Sequence, residues 1–428
     1  MSDQAFAPLS PYQRHKMVAS ALDPETSPRH HARYTRSWAM RILPSLSPRK
    51  AQRAFRTLTQ RHDSLRLRIV EHGGDWVAEI LDEHPKGLVV EDHGSLPREA
   101  QEALVARKCA TPMTALDPVL FEMELLRFGA QGDILFGRAH HAIYDAYSVG
   151  ILLADVISCL LDIPLTGHAA SHRDFVAYIA RHMKQRAAEK TDYWERIVRT
   201  PPPLLNVGRT AKGLPPLDRR NLGPCHRIEA GLSARASDTV KTRAKATGLS
   251  ANAQILAAFA DSACAMGGAE EVLLRGNIGR QEAALSHFVG AAMQIFYVRY
   301  KAGSGAQVFS DMVSSAADML PCADVAAGAP MSDLYCPILV NMPKPTGPLE
   351  NSPLGRVLAL GDQDAFTMGP LRFERVPTGE ELQIDRELDV NVTATADAPN
   401  VELVSEVASW GMAELDHLAA AMNEAILT

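Results

Sequence analysis

The sequence has no block of basic residues, no cysteines at CxxC spacing and no uninterrupted apolar run long enough to cross a bilayer. Its 44 Lys and Arg stand against 50 Asp and Glu, a formal net charge of −6, so nothing recruits nucleic acid or an anionic membrane. The six cysteines (Cys109, Cys159, Cys225, Cys264, Cys322, Cys336) lie far apart, which argues against a zinc knuckle or a disulfide framework and fits a reducing compartment. The opening "MSDQAFAPLSPYQRHKM" has no apolar core, so no secretory signal is visible. The longest apolar stretch, "VGILLADVISCLL", is interrupted by Asp155 and falls short of the ~20 residues a span needs. These absences predict a cytoplasmic protein with no metal, nucleic-acid or membrane partner.

What is present suits a globular enzyme: 46% apolar and 22% charged residues. A chain of 428 residues exceeds one ordinary core, which stops growing near ~250–300 residues, so two domains or lobes are expected. "SPRKAQRAFRTLTQ" opens with a Ser-Pro helix start, and "RHDSLRLRIV" alternates in strand fashion. "FEMELLRFG" and "GDILFGRAHHAI" read as a hairpin whose second strand runs into two histidines, with a helix in "SVGILLADVISCLLD" after it. "RDFVAYIARHMKQRAAEKTDYWERIV" is a long amphipathic helical segment. The stretch "RTPPPLLNVGRTAKGLPPLDRRNLGP" lacks periodicity and is the best linker candidate. Mixed strands and helices recur beyond it. The expected division is an N-terminal lobe, residues 1–180, and a C-terminal lobe, 181–428, with a helix and the Pro-rich stretch 181–225 at the junction.

The densest chemistry lies in "HHAIYDAYSVG", His140 to Gly150. A histidine four residues before an aspartate can point an imidazole into a cleft while the carboxylate pins the loop. An imidazole with a pKa near ~6.5 suits proton transfer from an amine or alcohol at neutral pH. Taken alone, the pattern reads first as partly buried loop structure. A zinc site needs a third ligand that no cysteine cluster supplies. The pair His30-His31 has no aspartate downstream and reads as surface structure. Ser64 in "RHDSLRL" does not sit at a helix start after glycine, as a carrier-protein serine does. "GNIGR" is too short for a dinucleotide loop, and "NVT" at 391–393 is a sequon in form only.

Taken in order, the segments resemble the condensation domain of nonribosomal peptide synthetases, within the chloramphenicol-acetyltransferase-like HxxxD acyltransferase superfamily. "LSPYQRHKM" resembles the family's S-x-x-Q-x-R opening, and "RHDSLRLRI" its R-H-x-x-L-R segment. "HHAIYDAYS" is similar to HHxxxDG, with the aromatic before the aspartate that fungal versions carry. "SHRDFVAYI", "TDYWERIV", "GNIGRQEA" to "HFVGAAMQIFYVRY" and "PILVNMP" resemble later elements, so the resemblance covers nearly the whole chain.

That resemblance implies an α/β fold of two chloramphenicol-acetyltransferase-like lobes in a V, with a tunnel between them. His141 is then the catalytic or substrate-positioning residue. His140 is structural, and Asp145 braces the loop with Arg280 as its candidate cation. Ser148 and Ala146 are loop or tunnel positions, and Ala146 stands where the motif has glycine. The implied activity joins a carrier-bound acyl or aminoacyl thioester to an amine, or less favourably an alcohol, in secondary metabolism. No bound cofactor is implied; the donor's carrier is the phosphopantetheine arm of a partner carrier protein, and the acceptor a small or carrier-bound molecule. The alternatives are a coenzyme A-dependent N- or O-acyltransferase and a non-catalytic docking module. With no adenylation or carrier segment visible, the chain is expected to be free-standing or an excised domain, and the opening Met favours the former.

Overall fold

The structure is a computed structural model that describes residues 5–22, 28–185, 202–218, 223–278, 283–292, 294–311, 335–341, 365–379, 384, 386–394 and 399–428. In chain order the described strands are β1 (Phe6–Pro8), β2 (Thr35–Leu43), β3 (Leu67–His72), β4 (Asp75–Ile80), β5 (Val89–Asp92), β6 (Phe121–Arg127), β7 (Asp133–His140) and β8 (Cys225–Glu229). They continue as β9 (Glu271–Ile278), β10 (Gln294–Lys301), β11 (Ile338–Asn341), β12 (Ala365–Met368), β13 (Leu371–Arg375), β14 (Leu388–Ala394) and β15 (Pro399–Glu406). Two compact units result. The first comprises Met1–Ile179, Gln281–Ala292 and Pro345–Glu381; the second comprises Ala180–Arg280, Met293–Lys344 and Leu382–Thr428.

In the first unit, β12-β13-β2-β7-β6-β5 form one sheet and β1-β4-β3 a smaller one. β6 and β7 pair antiparallel as the expected hairpin. Helices Pro48–Arg61 and Ala146–Leu160 pack their apolar faces on one side of the larger sheet, with Phe55, Leu58, Ile151, Leu152 and Val156 in the core. Ile134, Phe136 and Leu126 face a smaller core on the other side, against Val105 of helix Arg98–Cys109. Strands covered on both faces read as apolar runs without alternation. That is why periodicity does not mark β2: Trp38, Met40 and Ile42 are buried in one cluster, while Ala39 belongs to the other and Arg41 is buried as well. Arg41 Nη1 donates to Gln101 Oε1 at 2.6 Å and its Nε lies 3.8 Å from Glu374 of β13. The β12–β13 hairpin is thereby tied to the sheet edge through β2, an order that local sequence does not encode.

In the second unit, β10-β9-β11-β14-β15-β8 form a mixed sheet. Helices Ala234–Thr247, Ala251–Gly267 and Met412–Leu427 pack on it through Val240, Ile255, Phe259, Leu415 and Met422. The described part of the Pro-rich stretch is bound along this unit. Arg209 N donates to Glu387 Oε2 at 3.0 Å, Lys212 Nζ to Ser409 O at 2.7 Å, and Leu217 N to the Tyr335 hydroxyl at 3.1 Å. Gly208 (φ +54°) passes so close that a Cβ there would lie 2.6 Å from Trp410 Nε1. Among the described residues no helix is long and apolar enough to cross a membrane.

Gly137 of β7 faces Trp38 of β2 in register, and a Cβ at Gly137 would sit 2.3 Å from the indole. Gly137→Ala is therefore expected to destabilise the unit by about 1–3 kcal/mol, read by denaturant unfolding. Combining it with Trp38→Leu is expected to recover part of that loss; strictly additive effects would contradict the close approach.

Candidate functional site

Strand β7 ends at His140, and the chain turns through buried Ala142, Ile143 and Tyr144 before helix Ala146–Leu160 begins. Buried peptide groups must find partners within the protein. His140 N donates to Leu120 O at 2.9 Å, and His141 N to Tyr34 O at 2.6 Å, which carries the β2–β7 pairing one residue past the strand. Ile143 N closes the turn on His140 O at 3.1 Å. Ala142 N donates to His140 Nδ1 at 3.1 Å. Ala142 O accepts from Gln13 Nε2 at 2.8 Å.

The two histidines have different surroundings. His140 is 2% exposed, and burial, with His141 and His31 nearby, lowers its pKa to about 3. It is neutral, and because Nδ1 accepts from Ala142 N, the ring proton resides on Nε2. His141 is half-buried, with the rings of Tyr12 and Tyr34 at 5.9 and 6.4 Å between centroids. Neither tyrosine is singled out by sequence: Tyr12 lies inside the S-x-x-Q stretch, and Tyr34 marks the approach to β2, which periodicity does not reveal.

Asp145 is the N-cap of helix Ala146–Leu160, in extended conformation, and is buried. Its carboxylate accepts from Ser148 N and Ser148 Oγ, each at 2.8 Å, and from Ala292 N at 3.1 Å. A Ser, Thr, Asp or Asn here is what a helix start requires, and an acidic one also complements the dipole. Ser148 is fully buried and links the same pieces again: its Oγ accepts from Gly290 N at 3.0 Å, and Gly290 O lies 3.1 Å away as an alternative acceptor. Ser148 is thus part of the brace. Arg280, the expected cation for Asp145, lies outside the described residues, as does the Y-W segment 191–198. Ala146 is the first helical residue, and among the described residues Asp162 is the non-glycine position with positive φ. The backbone at Ala146 therefore needs no glycine.

A second cluster fixes the same helix further along. Asp155 accepts from His62 Nε2 at 2.8 Å and pairs with Arg61 Nε at 2.9 Å. Burial lowers the His62 pKa, opposed by Asp155. Asp63 accepts from His172 N at 3.0 Å, capping helix His172–Gln185. The R-H-D string is thereby a structural knot, and Ser64 lies buried in the turn beyond it. Among the described residues no cluster of three or more His, Cys, Asp or Glu could hold a metal.

Each of the two units carries a six-stranded mixed sheet packed by helices, and in the first of them an HHxxxD turn leads into a capped helix. Residues 3–340 match the family Condensation domain, and the chain belongs to that family, whose members serve nonribosomal peptide synthesis on the chloramphenicol-acetyltransferase-like fold. Phosphinothricin tripeptide synthetase PhsC of Streptomyces viridochromogenes is 28% identical over 186 residues, 41% of this chain and 17% of that protein. Bacitracin synthase 2 of Bacillus licheniformis is 25% identical over 289 residues, 67% of this chain and 10% of that protein. The chain thus spans a small fraction of the length of both. The solved complex of the X-domain and OxyB from teicoplanin biosynthesis shares the fold at a TM-score of 0.74 and 15% identity, covering 100% of this chain and 93% of that chain.

The low pKa of His140 gives a pH prediction. As pH falls below ~6.5 the unfolded chain protonates this imidazole and the folded protein does not until about pH 3, so stability is lost across that window. Unfolding free energy is expected to drop by about 1–2 kcal/mol from this residue between pH 7 and 5. His140→Asn, whose Oδ1 can accept from the same N–H without titrating, is expected to show a smaller drop in denaturant titrations at the two pH values. An equal drop in both proteins would contradict the assignment.

Proposed function

We propose that the chain is a condensation-type acyltransferase. It joins an acyl or aminoacyl thioester, held on the phosphopantetheine arm of a carrier protein, to an amine, with an alcohol as the less favoured acceptor; its expected compartment is the cytoplasm. The observation that carries this reading is the turn of His141, whose flanking peptide groups are held by Tyr34 O, His140 Nδ1 and Gln13 Nε2, so that the imidazole is presented from a fixed backbone. His141 is the imidazole assigned the chemistry, because it is the second histidine of the HHxxxD string and lies half-buried beside Tyr12 and Tyr34.

A thioester is already activated, so transfer requires alignment more than a protein nucleophile. The acceptor nitrogen attacks the carbonyl, a C–N bond forms as the C–S bond breaks, and the nitrogen's proton ends on the departing thiolate. His141 either takes that proton or orients the nucleophile. Ser148 is occupied by Asp145 and Gly290 and is not assigned a step. Arg280 is the proposed cation beside Asp145.

Coenzyme A carries the same phosphopantetheine arm, so a coenzyme A donor is the nearest alternative. A non-catalytic docking module is the other, favoured by the likeness to an X-domain solved in complex with OxyB. One experiment separates the three: product mass spectrometry with a loaded carrier protein and an acyl-coenzyme A as donors, against a panel of amine and alcohol acceptors. The expected result is amide formation from the carrier-bound donor, poor rates with coenzyme A, and a loss of about 10²–10⁴-fold in His141→Ala. Undiminished turnover in His141→Ala overturns its role. No transfer from either donor, with carrier binding intact in that variant, establishes the docking reading instead.

A further inference from the structure

Three peptide groups surround His141, and each is held differently. The one before it is fixed through His141 N on Tyr34 O, a continuation of the sheet. The one after it is fixed through Ala142 N on His140 Nδ1, a bond within the turn. The third is fixed through Ala142 O by Gln13 Nε2, a side chain from 129 positions earlier in the sequence.

Gln13 is 2% exposed, and both ends of its carboxamide are in use. Oε1 accepts from Ser10 N at 2.8 Å, so Nε2 is the end that faces Ala142 O at 2.8 Å. Ser10 Oγ in turn accepts from Gln13 N at 3.3 Å, so Ser10 and Gln13 form a reciprocal capping box. Helix capping alone needs only the acceptor end of the amide. The donor end serves the His141 turn, and Tyr12, between the two, brings its ring beside His141. Neither an ionised glutamate nor a methionine supplies an acceptor for Ser10 N together with a donor for Ala142 O.

We propose that Gln13 is a positioning residue for His141, acting through the carbonyl of Ala142. This rests on the reading of His141 as the group that works on the acceptor. Displacing that imidazole should lower kcat without raising KM, because Gln13 is buried and both ends of its amide are bonded within the chain.

In the full chain with a loaded carrier donor, Gln13→Met is expected to lose about 10- to 100-fold in kcat with KM within about twofold of the unsubstituted protein. Gln13→Glu gives the sharper readout. Its carboxylate repels Ala142 O, and on protonation it regains a donor while keeping an acceptor for Ser10 N. Its rate relative to the unsubstituted protein is expected to rise as pH is lowered from about 8.5 to about 6, the range into which burial lifts a carboxyl. The corresponding ratio for Gln13→Met should stay flat. A kcat for Gln13→Met within about threefold of the unsubstituted protein, or a flat ratio for Gln13→Glu, overturns the proposal.

Amide hydrogen exchange over residues 140–145 tests the same contact without catalysis, with exchange at Ala142 and Ile143 expected to quicken about tenfold in both variants at pH 8. Unchanged exchange also overturns the proposal, even where kcat falls. If the unsubstituted protein transfers nothing, the function proposed above fails, and exchange alone decides the role of Gln13. If Gln13→Met does not fold, the pH response and exchange of Gln13→Glu decide it.

Discussion

The buried turn between β7 and helix Ala146–Leu160 must satisfy its own backbone, and much of the first unit is arranged around that constraint. No solvent reaches Ala142 to Asp145, so every donor and acceptor there needs a protein partner. Leu120 and Tyr34 hold the peptide groups of His140 and His141, His140 and Gln13 those of Ala142 and Ile143, and the stretch around Gly290 binds the side chains of Asp145 and Ser148. The HHxxxD pattern is thus first a solution to a hydrogen-bonding problem. Adjacent histidines suit it because they are not equivalent: the first, held neutral by burial, is an acceptor at any working pH, and the second is left half-exposed.

The helix that follows is anchored by polar groups at its start and again near its middle. At its start Asp145 and Ser148 bind the backbone of Gly290 and Ala292. Near its middle, Asp155 is held by Arg61 and His62. A buried carboxylate left without such partners is costly, by about 3–5 kcal/mol when one member of a buried pair is removed. Apolar contacts alone fix the register of a helix this rich in aliphatic residues less sharply than paired polar groups do. Two carboxylates with fixed donors define its register. The string "RHD" then spans three tasks in three residues: Arg61 and His62 set this helix, and Asp63 starts the next at His172.

Much of this was legible in the sequence and some was not, for physical reasons. The β6–β7 hairpin and its helix carry strong local signals, and the HHxxxD string stands out by chemistry. Asp145 stands out through the HHxxxD string, with an arginine as its expected partner; its place as the N-cap of helix Ala146–Leu160 comes from the structure alone. Its described partners were not legible: Gly290 and Ala292 contribute backbone atoms, which leave no residue-type signature, from more than 140 positions away. β2 was hidden because both its faces are buried, and the β12–β13 hairpin because its pairing with β2 joins residues over 300 positions apart. The Pro-rich stretch reads as a linker by composition, yet its described part is bound to the second unit through Arg209, Lys212 and the close approach of Gly208 to Trp410. Composition reports local stiffness, not whether an acidic neighbour waits elsewhere.

Ala146 shows how far a motif letter can be separated from its usual rationale. Glycine in a tight loop is ordinarily explained by a left-handed backbone or by close approach. The first explanation does not apply to this chain: position 146 is the first residue of a right-handed helix, and the turn is completed before it, at the extended Asp145. Alanine is also the better helix former, by about 1 kcal/mol in a helix interior and less at an end. The course of the chain from His141 to Ser148 is set by Gln13, His140, Asp145 and Gly290. The turn that carries His141 is thus specified without a glycine at 146.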